Sequence, residues 1–333
     1  MSALLQRQQS TRALRVLAPA RLHLGFLDLN GGLGRRYGSI GLAVDTPATE
    51  LCLRRAQGFS SSGPESERAL KAVRRFAEIL ALEGQYSVEV ARAIPAHAGL
   101  GSGTQLALAV GAALMTLEGL SWQAQRLGEL VERGARSAIG MAAFEQGGFI
   151  IDGGRGASDR APPVLVRADF PVDWRVLLIL DQTAAGVHGD RETEAFAALP
   201  PFPDSAASRL CRLVLMRLLP GLKETDIAAF GSALSEIQDI VGGHFAAAQG
   251  GSKWTSRGVG RMASRLAEAG AHGIGQSSWG PTGFAFVSSA DEAARLYHSL
   301  VEDATAEGLE IRIASGRNTG AHVEPMLIKK ANT

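Results

Sequence analysis

A short glycine-rich segment, which joins a strand pattern to a long apolar helix pattern, constrains the fold of this chain more than any other feature. It runs from Pro95 to Thr104, after alternating residues at 86–93 and before an Ala/Leu-rich stretch. Glycines at 99, 101 and 103 let backbone amides turn toward one point, and the positive end of the following helix favours an anion there. The segment predicts a phosphate-binding loop, and the alternative is a strand-to-helix turn without a ligand.

This segment differs from two common nucleotide-binding patterns. A Walker loop requires Gly-Lys-Ser/Thr, and a dinucleotide fingerprint requires Gly-x-Gly-x-x-Gly. Neither pattern occurs between Pro95 and Thr104. The loop therefore indicates a different family of phosphate-binding proteins.

The order of strand and helix patterns predicts an α+β chain of about two domains. Its 333 residues exceed one small core, since domains run roughly 100–200 residues each. We expect a flexible tail at 1–12, a first domain at 13–165 and a second domain at 166–333. In the first domain we expect a strand from Ile40 to Val44 that Pro47 ends.

Composition limits the partners and the compartment. The formal net charge of +1 argues against the broad basic face that nonspecific nucleic-acid binding needs. The two cysteines, Cys52 and Cys211, cannot form a disulfide framework and indicate a reducing compartment, by default the cytoplasm. We find no run of about 18 apolar residues and no secretion signal, so we expect no membrane association.

Three segments, in order along the chain, resemble the motifs of one superfamily. Pro95-x-x-x-Gly99-Leu100-Gly101-Ser102-Gly103 resembles the phosphate-binding motif of the galactokinase, homoserine kinase, mevalonate kinase and phosphomevalonate kinase (GHMP) superfamily, with glycine in place of the usual last serine. The segments 18–24 and 274–283 resemble its first and third motifs. The resemblance implies a ribosomal-S5-domain-2-like N-terminal domain and a ferredoxin-like C-terminal domain.

One departure from the kinase pattern bears on the reaction. Superfamily kinases with a catalytic base carry an aspartate in a Ser-Gly-Ile/Val-Asp segment, and Gly140 stands at that place here. Glycine cannot take a proton, and a positioned general base is typically worth ~10²–10⁴ in rate. The resemblance therefore implies a kinase scaffold used for a different reaction.

Five segments resemble a non-kinase branch of this superfamily, the β-ribofuranosylaminobenzene 5′-phosphate synthases. The segments are 21–31 with Gly41 shortly after, 142–154, 249–251, 277–281 and 317–320. This resemblance implies a condensation of phosphoribosyl pyrophosphate with 4-aminobenzoate or 4-hydroxybenzoate, which releases carbon dioxide and pyrophosphate on the route to tetrahydromethanopterin. It also implies Mg²⁺ as cofactor and a homodimer.

Four residues are candidates for the catalytic chemistry. Arg21 is a cation for the departing pyrophosphate, and His23, on the same strand face, contacts a phosphate or shuttles a proton. Asp28 and Asp152 steady the sugar cation, and either one is a candidate Mg²⁺ ligand. A structural histidine and two turn aspartates are the alternatives, since glycines follow both carboxylates within three residues.

The remaining candidates are hydrogen-bond donors and cations for anionic groups. Arg317 and Asn318 follow the last strand pattern and are candidates to hold a carboxylate or the 5′-phosphate. The charged segment 188–192 is a candidate ligand loop, with a solvated turn as the alternative. The full set of predicted substrate-binding residues is Gly99, Gly101, Ser102, Gly103, Thr104, Asn30, Ser277, Ser278, Arg317 and Asn318.

Two other functions stay open from the sequence. The Gly99-Leu100-Gly101-Ser102 motif also suits an ATP-dependent small-molecule kinase that works without the aspartate base. A catalytically inactive phosphate-binding regulator would retain the same loop. The two differ from the synthase in their products, since the kinase consumes ATP and the regulator turns nothing over.

Overall fold

The fold is described from a computed structural model of the chain, covering residues 12–158, 160–183, 186 and 199–327. The predicted tail, apart from Arg12, and the candidate loop at 188–192 lie outside these residues. The described residues form two sheets with helices packed against them.

The first sheet contains seven of the described strands. Its centre is the long antiparallel pair β1 and β2, and the strand order is β11-β1-β2-β4-β3. Strand β5 also pairs with β2, and β6 pairs with β5. The strands are β1 (Arg12–Asp28), β2 (Tyr37–Ala56), β3 (Ser60–Ser62), β4 (Gln85–Arg92), β5 (Phe149–Asp152), β6 (Val164–Ala168) and β11 (His322–Leu327).

The prediction that Pro47 ends a strand is wrong, because β2 continues past it to Ala56. In the β1–β2 ladder Ala20 pairs with Val44 and Pro19 with Ala48, so residues 45–47 lie in an irregularity of the register. Proline is tolerated there because a bulge needs no ladder N–H. The long β2 therefore pairs with β5 through its first half and with β4 through its second.

The second sheet is antiparallel and has the order β10-β7-β9-β8. Helices lie between β7 and β8 and between β9 and β10, which gives the β-α-β-β-α-β connectivity of a ferredoxin-like domain. Its strands are β7 (Arg175–Asp181), β8 (His272–Gln276), β9 (Thr282–Val287) and β10 (Leu309–Ser315).

Strand pairing crosses the sequence boundary that we predict between residues 165 and 166. Strand β6 runs on to Ala168 within the first sheet, and β11, near the C-terminus, pairs antiparallel with β1. The first sheet is thus completed by a strand from the far end of the chain.

Helices cover both sheets, and each buries an apolar stripe. In the helix at 66–79, the buried residues Ala69, Val73, Phe76 and Ala77 recur at helical spacing. Within the described residues no helix is long and apolar enough to span a bilayer. The helices are α1 (Ser66–Ile79), α2 (Ser102–Leu117), α3 (Ala124–Leu130), α4 (Ile139–Glu145), α5 (Asp204–Leu213), α6 (Leu219–Glu224), α7 (Ile227–Phe245), α8 (Arg257–Glu268) and α9 (Ala290–Ala306).

One apolar core joins the two sheets. It contains Leu22 and Phe149 from the first sheet, Leu178 and Phe286 from the second, and Phe230 from α7 between them. Each of these side chains is fully buried, and burial is worth roughly 1.5–3 kcal/mol for such a side chain. The two halves are therefore held together by a continuous core.

A close backbone contact adds to this junction at the glycine-rich segment before α2. Gly99 has φ +79°, and a Cβ there would overlap the carbonyl oxygen of Ser277 and lie 2.9 Å from Cα of Gly280. Only glycine fits both the left-handed backbone and the close approach. Glycine at position 99 therefore lets the segment before α2 pack directly against the turn that follows β8.

We predict that Gly99→Ala destabilises the protein by about 1–3 kcal/mol more than Gly34→Ala. Gly34 is the matched control, since its φ is +82° and the described atoms leave open space around its Cβ position. Both substitutions incur the left-handed cost of roughly 1–2 kcal/mol, but Gly99→Ala alone adds an overlap. Denaturant unfolding of both variants measures the difference, and equal losses would refute the close fit.

Candidate functional site

The predicted phosphate loop lies at the start of α2. Gly99 and Gly101 both have left-handed backbone, and Gly101 precedes Ser102, the first residue of the helix. The first N–H groups of a helix have no intrahelical acceptor, so the amides at 102–104 face outward at the positive helix end. We call this segment, Gly99 to Thr104, the cradle.

Arg21 lies directly over the cradle. Its backbone N–H donates to the carbonyl of Leu100 at 3.1 Å, and its Nη1 donates to the carbonyl of Gly99 at 2.7 Å. A Cβ on Gly101 would lie 3.1 Å from Cγ and 3.3 Å from Cζ of Arg21. Strand β1 therefore delivers a guanidinium to the helix start, as the sequence predicts.

Two further arginines reach the first turn of α2. The Cβ position of Gly103 lies 2.8 Å from Nη2 of Arg68 and 3.7 Å from Nη2 of Arg133. Arg68 comes from α1, where it also pairs with Glu65 at 2.6 Å, and Arg133 comes from the loop after α3. Sequence reasoning missed both, because nothing local marks a helix-face or loop arginine as a neighbour of the cradle.

Ser277 ties the cradle to the second half of the protein. Its hydroxyl donates to the carbonyl of Gly99 at 2.8 Å and accepts the backbone N–H of His23 at 3.0 Å. The side chain is buried, so both bonds are shielded from water. The hydroxyl thus positions the loop and the strand, whereas the sequence assigns it to a second anion site.

His23 lies beside this contact and is buried. Burial, with a smaller contribution from Arg21, lowers its pKa to about 3, so the imidazole is neutral at pH 7. Its ring packs against Phe26 at a centroid distance of 4.6 Å, and its carbonyl accepts the N–H of Ser278 at 3.3 Å. A neutral imidazole can still donate or accept a hydrogen bond, but it is a weak base.

His23 and Ser278 border a small cavity that Phe26, Phe245 and Trp279 also line. Its volume is about 30 Å³, which suits one water molecule. A benzene ring fits an apolar cavity of roughly 150 Å³. This aromatic cluster therefore does not admit a benzoate in the conformation described.

Gly140 stands where the kinase aspartate would be, next to the cradle. Its Cβ position is 3.1 Å from Cγ2 of Thr104, and its carbonyl accepts Nε2 of Gln105 at 2.8 Å. The glycine therefore lies at the first turn of α2 with no side chain to supply a base.

Asp152 is buried, and protein donors occupy its carboxylate. Oδ1 accepts the N–H groups of Ser39 and Gly154, both at 2.9 Å, and Oδ2 accepts Ala138 N–H at 2.8 Å and the Ser137 hydroxyl at 3.2 Å. Burial raises the pKa of this carboxyl, and the four hydrogen bonds oppose that shift. Asp152 fixes the start of α4 against the sheet, which corresponds to the turn alternative.

Asp28 and Asn30 shape the loop after β1. Oδ1 of Asp28 accepts the N–H groups of Asn30 at 2.6 Å and Gly31 at 2.9 Å. The Asn30 side chain accepts Gly32 N–H at 2.8 Å and donates to the carbonyl of Phe202 at 2.6 Å. These contacts stabilise the turn after β1. Asp28 lies seven residues from Arg21, which is roughly 23 Å along an extended strand, so its carboxylate is far from the cradle.

Arg317 and Asn318 lie in the turn between β10 and β11. Arg317 donates to the carbonyls of Thr319 at 3.0 Å and Gly320 at 2.9 Å, and burial lowers its pKa. Asn318 pairs with the backbone of Phe170 through both side-chain atoms, at 2.7 and 2.9 Å. These contacts hold the turn after β10 together and join it to Phe170, just after β6, and none of them involves the cradle.

The predicted Mg²⁺ ligands do not fit a metal at the cradle. Asp152 has its acceptor positions occupied, and Asp28 lies at the far end of β1. Among the described residues no cluster of three or more His, Cys, Asp or Glu side chains suits a metal ion. Arg68, which lies beside Gly103 of the cradle, pairs with the carboxylate of Glu65 at 2.6 Å.

Comparison with known proteins defines the class first. Residues 67–148 match the family described as "GHMP kinases N terminal domain", and residues 218–305 match "GHMP kinases C terminal". A homoserine kinase from Cytophaga hutchinsonii has a similar structure, with a TM-score of 0.68 and 21% identity over 94% of this chain and 97% of that one. The mevalonate diphosphate decarboxylase of Enterococcus faecalis gives a TM-score of 0.66 and 17% identity over 94% and 99%. The predicted α+β GHMP fold is confirmed.

Curated relatives narrow the class to one family. The β-ribofuranosylphenol 5′-phosphate synthase of Archaeoglobus fulgidus is 33% identical over 93% of this chain and 99% of its own length. The protein of the same name from Methanothermobacter thermautotrophicus is 32% identical over 92% and 98%. The chain belongs to the β-ribofuranosylphenol 5′-phosphate synthase family, and the resemblance predicted from the sequence is confirmed.

We predict that Arg21→Ala weakens the binding of inorganic pyrophosphate by about 10- to 100-fold, since hydrogen bonds to charged groups are worth ~1.5–3 kcal/mol. Arg21→Lys should recover part of the loss, because a point charge cannot reproduce the guanidinium geometry. Titration calorimetry measures both, with the exposed Arg126→Ala on α3 as control. Unchanged affinity in a folded Arg21→Ala protein would remove this arginine from the anion site.

Proposed function

We propose that the protein condenses phosphoribosyl pyrophosphate with a 4-substituted benzoate and releases carbon dioxide and pyrophosphate. The product would be the β-ribofuranosyl-benzene 5′-phosphate precursor of tetrahydromethanopterin. The observation that carries the proposal is the cradle beside Gly140, whose carbonyl accepts Nε2 of Gln105 in the first turn of α2 and which offers no side chain where a kinase would hold its base. The names of the curated relatives point to the same product.

The reaction needs charge stabilisation more than proton transfer. Pyrophosphate departs from the anomeric carbon, and the ring carbon that bears the carboxylate attacks the resulting sugar cation. The bond to the carboxylate then breaks, its electron pair restores the aromatic ring, and carbon dioxide leaves. A benzoate is already ionised at pH 7, so this sequence removes no proton from an alcohol, as a kinase must.

The cradle suits the departure of pyrophosphate. Backbone amides at 102–104 and the guanidiniums of Arg21, Arg68 and Arg133 converge on one helix start. Donors fixed in advance at the place where negative charge grows stabilise the transition state without reorganisation. Neutral His23 adds no competing positive charge and no strong base beside them.

The acceptor carboxylate must leave, which limits how tightly it is held. Strong pairing with an arginine would stabilise the bound benzoate more than the transition state in which its charge is lost. Arg317 and Asn318, which the sequence assigns to an anion, bind backbone carbonyls and amides instead.

The relatives' name favours one of the two benzoates. "Ribofuranosylphenol" is the product type that 4-hydroxybenzoate gives, whereas 4-aminobenzoate gives the aminobenzene. We therefore propose 4-hydroxybenzoate as the better acceptor, with 4-aminobenzoate as the second. We propose a homodimer and a cytoplasmic location by family resemblance. Mg²⁺ is proposed on the same ground, but not on Asp28 or Asp152, whose oxygens accept hydrogen bonds from the protein, and no step above is routed through the metal.

A kinase is the competing function, because the Gly99-Leu100-Gly101-Ser102 motif is intact and a homoserine kinase shares the fold. We predict that purified protein releases labelled carbon dioxide from carboxyl-labelled 4-hydroxybenzoate only with phosphoribosyl pyrophosphate, in equal amounts with pyrophosphate. Arg21→Ala should lower turnover by ~10²–10³, as for other fixed electrostatic donors.

Two other outcomes of this assay would identify the two competing functions. No carbon dioxide with either benzoate, together with ATP consumption on an alcohol such as homoserine, would establish the kinase. Ligand binding without turnover under any pairing would indicate the inactive regulator.

A further inference from the structure

A buried glutamine, Gln276, ends β8 directly before the turn that contacts the cradle. The residue is 7% exposed, and both polar atoms of its side-chain amide are engaged. Oε1 accepts the N–H of Thr255 at 2.6 Å, and Nε2 donates to Oε1 of Gln249 at 3.1 Å and to the carbonyl of Ser278 at 3.0 Å. Since Nε2 carries two protons, these two acceptors use its full donor capacity.

Further hydrogen bonds fix the position of Gln276. Its backbone N–H donates to Oε1 of Gln238 on α7 at 2.8 Å, and Nε2 of Gln238 donates to the carbonyl of Leu24 on β1 at 2.8 Å. The Thr255 hydroxyl donates to Oε1 of Gln249 at 2.7 Å, so the same oxygen accepts from both Thr255 and Gln276. The amide of Gln276 is therefore held by α7 and by the connection from α7 to α8.

One acceptor of this amide, the carbonyl of Ser278, belongs to a residue with an unfavourable backbone conformation. Ser278 has φ +57°, in the left-handed region that glycine adopts freely and serine does not. Its N–H donates to the carbonyl of His23 at 3.3 Å, and Gly280 N–H donates to the carbonyl of Ser277 at 3.2 Å, which closes the turn. Serine is disfavoured here by roughly tenfold relative to glycine, so the surrounding contacts must stabilise it.

The conformation of this turn decides where the Ser277 hydroxyl lies. That hydroxyl donates to the carbonyl oxygen of Gly99 at 2.8 Å, and the same oxygen accepts Nη1 of Arg21 at 2.7 Å. Ser277 stands between Gln276 and Ser278, so a backbone change at Ser278 moves the hydroxyl away from Gly99. A shift of about 1 Å in a positioned group can cost up to ~10² in rate.

We propose that Gln276 is a positioning residue for the anion site, because its amide holds Ser278 in the left-handed conformation. The turn so formed directs the Ser277 hydroxyl to the Gly99 carbonyl, and that carbonyl holds Arg21 over the cradle. The choice of pyrophosphate as the bound anion rests on the proposed function. The role requires a hydrogen-bond donor, since both partners of Nε2 are oxygen acceptors.

Two substitutions test the role of this donor. Gln276→Glu keeps the shape and the acceptor but loses the Nε2 donor, and Gln276→Met removes the amide without adding charge. Inorganic pyrophosphate is titrated calorimetrically into the full-length protein and each variant. Both substitutions should weaken pyrophosphate binding about tenfold, because the turn loses the contact that offsets its backbone cost. Gln85→Glu and Gln85→Met, at the exposed start of β4, are the matched controls and should bind like the wild type.

Two double variants distinguish positioning from a general loss of structure. Ser278→Gly removes the cost of the left-handed backbone, so adding it to Gln276→Met should restore most of the lost affinity. Arg21→Ala removes the group through which Gln276 acts, so adding Gln276→Met to it should weaken pyrophosphate binding by less than about twofold more. A merely structural role predicts neither the rescue nor the missing second loss.

Thermal unfolding verifies that each variant is folded, and Gln276→Met replaces Gln276→Glu if the buried carboxylate prevents folding. The inference is overturned if wild-type protein does not bind pyrophosphate or if Gln276→Met binds it like the wild type. It is also overturned if Ser278→Gly restores nothing, or if the losses from Gln276→Met and Arg21→Ala multiply. Because these titrations need no turnover, the expected pattern without carbon dioxide release would reject the proposed function and retain the positioning role.

Discussion

The carbonyl oxygen of Gly99 is the point on which the site depends. It accepts Nη1 of Arg21 at 2.7 Å and the hydroxyl of Ser277 at 2.8 Å, so one atom joins β1, the cradle and the turn after β8. The left-handed backbone of Gly99 aims this oxygen at both donors, and the absence of a Cβ lets Ser277 approach. Arg21 and the helix start are held in one geometry before any ligand arrives, which is the requirement for electrostatic catalysis.

The arrangement accounts for how a kinase-like scaffold can serve a reaction without phosphoryl transfer. A kinase must take a proton from an alcohol beside the γ-phosphate. A benzoate needs no such base, because the electron pair of the breaking bond to its carboxylate restores the aromatic ring. Gly140 and neutral His23 are compatible with the second requirement and unsuited to the first. Three arginines at one helix start suit a leaving group that gains negative charge as its bond breaks.

Local features were predictable from the sequence, and tertiary ones were not. The cradle and the strand that carries Arg21 follow from residue spacing within single segments, and the place of Gly140 follows from the resemblance to the kinase motif. Arg68 and Arg133 could not be found, because only the packing of α1 and of the loop after α3 brings them to Gly103. The α+β architecture was predictable in the same way, but the pairing of β11 with β1 depends on residues about 300 positions apart.

The polar candidate residues show a second limit on what the sequence can predict. Residue type marked Asp152, Arg317 and Asn318 as ligands, yet their hydrogen bonds go to backbone and hydroxyl groups of the protein. Buried polar side chains must be satisfied somewhere, and a sequence does not reveal whether the partner is a ligand or the chain itself.

The central claim is that pyrophosphate departs and the ring is rearomatised without a base at the cradle. The solvent deuterium isotope effect on kcat/KM, measured with phosphoribosyl pyrophosphate and saturating 4-hydroxybenzoate, tests it most directly. The account predicts a value near one, because no proton moves in the bond-breaking steps. An effect of about two or more, in a preparation that releases carbon dioxide, would show a proton in flight and contradict it.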